Sequence, residues 1–230
     1  MQLRPWLREL SRRIQVLLVP GNHDLYRRDS AASYASAWGD LPIFGSPLAS
    51  HHGQAPGATP VWPVVADLAD VRVIGLCSAY AAPWLKADGR IGKPQLAALE
   101  QALASASNRQ TVIALHHPVT RTGVRARKAL GDAAALQALL LKYRVSAVLH
   151  GHLHDNLEYR LGETLCLCTA PAASSYQDDS HSSNNGAERH HNDALVAGAP
   201  GRPHRLLPAT YRTLEFSADD GRLSTALHNS

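Results

Sequence analysis

The chain has 230 residues, 45% of them hydrophobic and 18% charged, with a formal net charge of +4 and a pI near 9.1. That length supports one large domain with a sizeable core, and the sequence reads as a single soluble domain over residues 1–230. No apolar run approaches the roughly 18 residues of a membrane span, and Met1–Leu10 lacks the apolar stretch of a secretory signal, so the expected location is the cytoplasm with no membrane partner.

In chain order, Leu3, Trp6, Leu7 and Leu10 recur at helical spacing with arginines between them, which predicts an amphipathic helix over the first dozen residues. Residues 15–19 form an apolar run broken by Pro20-Gly21, read as a buried strand ending in a tight turn. Residues 30–60 carry no clear period and end in an exposed loop rich in Gly, Pro and His. Strands are expected at 61–65 and 71–79, then a helix over 93–107, where Pro94 stands near the start and Leu96, Leu99 and Leu103 share one face. A strand at 111–119, a helix at 132–143 and a strand at 145–155 follow, and this alternation argues for an α/β fold with right-handed crossovers. Short strands at 157–161, 163–170, 210–216 and 222–227 suggest an antiparallel portion of sheet. The polar, aperiodic segment 174–205 between them reads as a long mobile loop.

Cys77, Cys166 and Cys168 are few, odd in number and set in apolar runs, and so read as buried reduced thiols. The basic residues are spread out apart from Arg12-Arg13 and the cluster from Arg121 to Lys128, with no aromatic-basic interleaving. An anionic small-molecule partner suits this charge better than nucleic acid. Oligomeric state is not set by anything in the sequence.

Three apolar runs end in polar residues of one kind: Asn22-His23-Asp24 after Gly21, His116-His117-Pro118, and His152-Leu153-His154 after Gly151. A single histidine at a strand end usually has a hydrogen-bonding or surface role. Three such ends together look like a metal site assembled at one sheet edge. Gly21 and Gly151 would let the chain approach closely, and Pro118 would stiffen its turn. His117 is left open between a supporting, a structural and a surface role. His51, His52, His181, His190, His191 and His204 fall in loops and are expected to be exposed.

The segments "GNHD", "HHP" and "GHLH" resemble the last three motifs of the calcineurin-like metallophosphoesterases, and the "HHP" form is similar to the branch containing class III cyclic-nucleotide phosphodiesterases. The resemblance covers residues 16–170. It implies two facing mixed sheets flanked by helices and a two-metal hydrolase in which a metal-activated hydroxide attacks phosphorus. Mn, Fe or Zn would suit the donor set. Carried over residue by residue, it implies Asn22, His116 and His152 as ligands of one ion and His154 as a ligand of the other. His23 would stabilise the phosphoryl charge and protonate the leaving oxygen, with Asp24 fixing its tautomer.

The family's two earlier motifs, an Asp-x-His and a Gly-Asp segment, do not occur among the twenty residues before Gly21. The expectation is therefore an N-terminally incomplete chain, through a misassigned start or as a degenerate paralogue. It would lack the first strand or strands and most of the first metal site, which implies weak or no activity for the chain as it stands. The leading reading is a metal-dependent hydrolase of a small phosphodiester or phosphomonoester. The alternatives are a catalytically inactive relic acting as a structural or interaction protein, and a nuclease.

Overall fold

The computed structural model describes residues 3–27, 29–38, 46–47, 61–82, 86–106, 109–171, 176–177, 205–206, 210–217, 220 and 222–229. The amphipathic period at the start of the chain folds as α1 (Leu3–Ser11), which buries Leu7 and leaves Trp6 exposed. Beyond it, residues 15–20 depart from the expected strand: Val16 makes a single bridge and the rest of the segment carries no ladder. A strand exists only where a neighbour supplies alternating donors and acceptors, and Pro20 has no N–H to offer. The segment is held by side chains instead. Leu17 packs so closely over Gly75 that a Cβ there would lie 3.0 Å from a Leu17 methyl. A second helix, α2 (Ser30–Trp38), lies where the sequence showed no clear period, because its Ser/Ala-rich surface buries only Tyr34 and Ala35.

The central sheet contains β1 (Ser46–Pro47), β2 (Val64–Leu68), β3 (Val71–Gly75), β4 (Gln110–Ala114), β5 (Ala147–His150), β6 (Leu157–Leu161) and β7 (Thr164–Cys168), in the order β1-β2-β3-β4-β5-β7-β6. β3, β4, β5 and β7 run parallel, while β2 and β6 are antiparallel to their neighbours. β2 begins at Val64 rather than at 61 because Pro63 has no N–H for a ladder. Helices α3 (Lys93–Ala104) and α4 (Ala133–Lys142) carry the chain from β3 to β4 and from β4 to β5.

Side-chain alternation assigns the two faces of this sheet. Ile74, Ile113, Val148 and Cys166 point to one side and pack with Leu99 and Leu103 of α3 and Leu136 and Leu140 of α4. Each such side chain taken fully out of water contributes about 1.5–3 kcal/mol before the entropy of ordering it is counted. On the other side Val112, Ala147, Leu165 and Leu167 meet Leu214, Phe216 and Leu223. These come from an antiparallel hairpin of β10 (Thr210–Phe216) and β11 (Leu223–Asn229), so a second sheet faces the first. Between β7 and β10, β8 (Tyr176–Gln177) pairs with β9 (Arg205–Leu206), so a short strand lies within the span read as a loop and another begins at its last residue. The six loop histidines and residues 178–204 lie outside the described residues. Among the described residues no helix is long and apolar enough to cross a membrane.

Parallel pairing brings the carboxyl ends of the central strands to one edge, with Gly75 level with Ala114, Ala114 with Leu149, and His150 with Cys168. The loops leaving that edge are fixed. Gln95 holds both backbone groups of Cys77 at 2.8 Å, and Asp132 accepts the N–H groups of Ile91 (3.1 Å) and Gly92 (2.7 Å). At the opposite edge Arg72 joins the sheet to the end of α3, reaching Asp67 at 2.6 and 2.8 Å and the Ala102 carbonyl at 2.8 Å.

Candidate metal centre

The turn Asn22–Asp24 is closed by Asp24, whose backbone N–H donates to the Gly21 carbonyl at 3.1 Å and whose Oδ2 accepts the Gly21 N–H at 2.8 Å. The Asp24 carboxylate thus bonds the backbone of its own turn instead of the ring N–H of His23. His23 is exposed and lies edge-on to Tyr26, with ring centroids 4.9 Å apart. Asn22 is buried. Its Nδ2 donates to the Tyr26 hydroxyl, which leaves Oδ1 facing His116 Nε2 at 2.8 Å.

His116 and His117 follow β4 and have different surroundings. His116 lies against Gly21, where a Cβ would come within 3.0 Å of its ring, and its Nε2 is 3.1 Å from His152 Nδ1. His117 is fully buried: its Nε2–H donates to the Ala87 carbonyl (3.2 Å), and its Nδ1 takes the Ser78 hydroxyl (2.8 Å). That same Ser78 oxygen accepts the His117 backbone N–H at 3.2 Å. The ring lies so close to Gly89 that a Cβ there would sit 2.4 Å from His117 Cγ. His117 is therefore a buried support that ties the ends of β3 and β4 together.

The third segment is anchored to the second by a bond from the Gly151 N–H to the His116 carbonyl at 3.1 Å. His152 is buried and adopts φ +71°, and its Nε2 is a buried atom without a hydrogen-bond partner among the described residues. His154 is exposed, with φ +55°, and lies close enough to influence the titration of both His116 and His152. His23 acts on His116 in the same way, so all three motifs reach one place.

Burial, reinforced for His116 and His152 by neighbouring histidines, lowers the pKa of His116 to about 3, of His117 to about 4 and of His152 to about 2. Burial likewise lowers that of His150 to about 4. These rings are neutral at pH 7, the form that binds metal.

His116, His117 and His152 each offer a ligand atom within 4.8 Å of the others. Because His117 already uses both ring nitrogens, the atoms left for a cation are Asn22 Oδ1, His116 Nε2 and the nitrogens of His152. Bonds of about 2.0–2.1 Å at tetrahedral angles place ligand atoms about 3.3 Å apart, and the 2.8 and 3.1 Å separations here are near that. The partnerless His152 Nε2 and this donor set fit a divalent ion of borderline softness.

The family model described as calcineurin-like phosphoesterase matches residues 2–156. The chain belongs to that family. Among curated proteins none matches it. Solved structures similar to it include a dimetal phosphatase from Danio rerio at 14% identity, covering 73% of this chain and 76% of that one, with a TM-score of 0.45. A structure of PhoD is similar at 13% identity over 61% of this chain, with a TM-score of 0.42. A putative 5'-nucleotidase from Staphylococcus aureus, crystallised with alpha-ketoglutarate, is similar at 15% identity over 72% of this chain, with a TM-score of 0.41. This calcineurin-like chain spans about a third of the length of the last two, 34% of each.

Three residues of the site were not singled out in the sequence: Ser78, Gly89 and Tyr26. Ser78 carried a usable signal. It lies at the end of the run expected as a strand over 71–79, and the carboxyl end of every parallel strand feeds the same edge.

Proposed function

We propose that the chain is a metal-dependent phosphoesterase acting on a small phosphodiester or phosphomonoester. The observation that carries this reading is the meeting of Asn22, His116 and His152, whose side chains are bonded across 94 and 36 residues of sequence. Asn22 Oδ1, His116 Nε2 and His152 would hold one divalent ion, Mn, Fe or Zn, and His154 would contribute to a second. Such an ion supplies charge stabilisation at the phosphoryl oxygens and acidifies water. The chain does the rest. Gly21 lets the first loop close on the His116 ring, where the close approach expected at Gly151 is not found, and the Gly151 N–H ties the third loop to the second. Buried His117 fixes the direction of the loop carrying His116, and His23 on the rim delivers a proton to the leaving oxygen. Asp24 acts through the turn, holding the backbone that aims His23.

The resemblance to the cyclic-nucleotide branch makes a cyclic nucleotide the first substrate to try, beside nucleoside monophosphates and bis-p-nitrophenyl phosphate. Turnover of any one that depends on added Mn²⁺ supports the proposal. No turnover with stoichiometric metal bound counts against it.

A second reading, a non-catalytic scaffold, is favoured by one observation: the cluster of candidate ligands among the described residues contains histidines and no carboxylate. Neutral donors offset none of the charge of a divalent ion, which weakens its binding. This reading predicts no metal retained at micromolar concentration.

A further inference from the structure

β5 delivers three histidines within five residues, and the first of them, His150, has partners of its own. It is buried, with Nδ1 3.2 Å from the Gly151 carbonyl oxygen and Nε2 2.9 Å from the Tyr159 hydroxyl. A carbonyl oxygen only accepts, so Nδ1 carries the ring proton and the Tyr159 O–H donates to Nε2. This is the less common tautomer of histidine, selected here by its two neighbours.

The carbonyl that His150 bonds is the one that shapes the site. Gly151 O also accepts the Leu153 N–H at 2.9 Å and the Cys168 S–H at 3.3 Å. The Leu153 bond runs from residue i+2 back to residue i, closing a three-residue turn with His152 at its centre and φ +71°. A γ-turn with positive φ at its centre is rare and strained, and for a non-glycine residue it persists only where surrounding bonds over-determine it. At the other face of the same residue, the Gly151 N–H is tied to the His116 carbonyl.

We infer that His150 and Tyr159 are positioning residues of the metal centre: they hold the Gly151 carbonyl in place, which keeps His152 in its strained turn with its ring directed at His116. Cys168 serves the same carbonyl from the neighbouring strand, where it is level with His150 in the sheet register. Residues that only filled space here would need no hydrogen-bonding atoms, yet three side-chain donors, Tyr159 O–H, His150 N–H and Cys168 S–H, run in sequence or in parallel to one oxygen. The consequence for metal binding rests on the function proposed above; the bracing of His152 does not.

The test uses the full chain, ¹⁵N-labelled and metal-free, with long-range ¹H–¹⁵N correlation of the imidazoles followed by zinc titration. In the wild type His150 should show the Nδ1–H tautomer. Tyr159→Phe removes the donor to Nε2. It should mix the His150 tautomers, shift the His152 ring resonances and lower zinc affinity about tenfold to a hundredfold, the range seen when groups that orient metal ligands are lost. Far-UV circular dichroism should stay unchanged. Should Tyr159→Phe fail to fold, Cys168→Ser keeps a donor to Gly151 O and should retain zinc affinity, whereas Cys168→Ala should lose it by several-fold. An Nε2–H tautomer at His150 in the wild type overturns the inference, as does a folded Tyr159→Phe chain with wild-type His152 resonances and zinc affinity. A wild-type chain that binds no zinc, with the tautomer and the resonance shifts as expected, overturns the metal reading and leaves the brace standing.

Discussion

On the floor of the site, Asn22, His116 and His152 are buried or half-buried and bonded to one another, whereas on its rim His23, Asp24 and His154 face solvent. The two sets come from the same loops and alternate along them. Asn22 turns in and His23 out; His152 turns in and His154 out. Removal from water favours the uncharged imidazole, so the floor presents neutral rings at pH 7. The rim keeps its side chains in contact with solvent. The comparison teaches that burial separates the residues proposed to hold a cation from those proposed to move a proton.

The sharpest way to break that division is to exchange its consequences. His152→Ala, on the floor, should empty the site, with metal retained after dialysis falling to background by elemental analysis and turnover lost with it. His23→Ala, on the rim, should lower kcat by about 10²–10⁴-fold, the usual worth of a positioned general acid, while metal content stays at the wild-type level. If His23→Ala emptied the site, floor and rim would not be separable.

A smaller effect sharpens the comparison through pH. His117 and His150 are buried and neutral in the fold, with pKa values lowered to about 4, so between pH 6.5 and 4 the unfolded chain binds more protons than the folded one. Stability therefore rises with pH across that window. The contribution is complete above the unfolded value near 6.5 and is lost as pH falls toward 4, at about 1.4 kcal/mol per pH unit for each group. Urea unfolding at pH 7.5 and pH 5 should differ by about 2 kcal/mol for each of these histidines. A His117→Gln variant should show a smaller difference.

Much of this site was legible before the structure because its residues sit at strand ends, which apolar runs and glycines mark plainly. Leu157–Leu161 and Thr210–Phe216 fold as strands over the ranges expected, and the helical period at 93–107 became Lys93–Ala104. The helix at Ser30–Trp38 was hidden because two buried residues make no stripe to read. Residues 15–19 read as a strand because an apolar run shows the wish to be buried but not the presence of a pairing partner. The difference between His116 and His117 was also out of reach. Adjacent histidines look alike in sequence, and what separates them is supplied by Ser78, Ala87 and Gly89, some thirty to forty residues away. Asp24 was expected beside His23 for the same reason: the sequence shows a carboxylate next to an imidazole, while only the turn shows that Gly21 claims it first.

The most direct test of the account is crystallographic: diffraction data collected at the zinc absorption edge from crystals of the full chain grown with Zn²⁺. The account predicts an anomalous peak within bonding distance, about 2.0–2.2 Å, of Asn22 Oδ1, His116 Nε2 and a nitrogen of His152. A peak elsewhere on the molecule with none between these three side chains would contradict it.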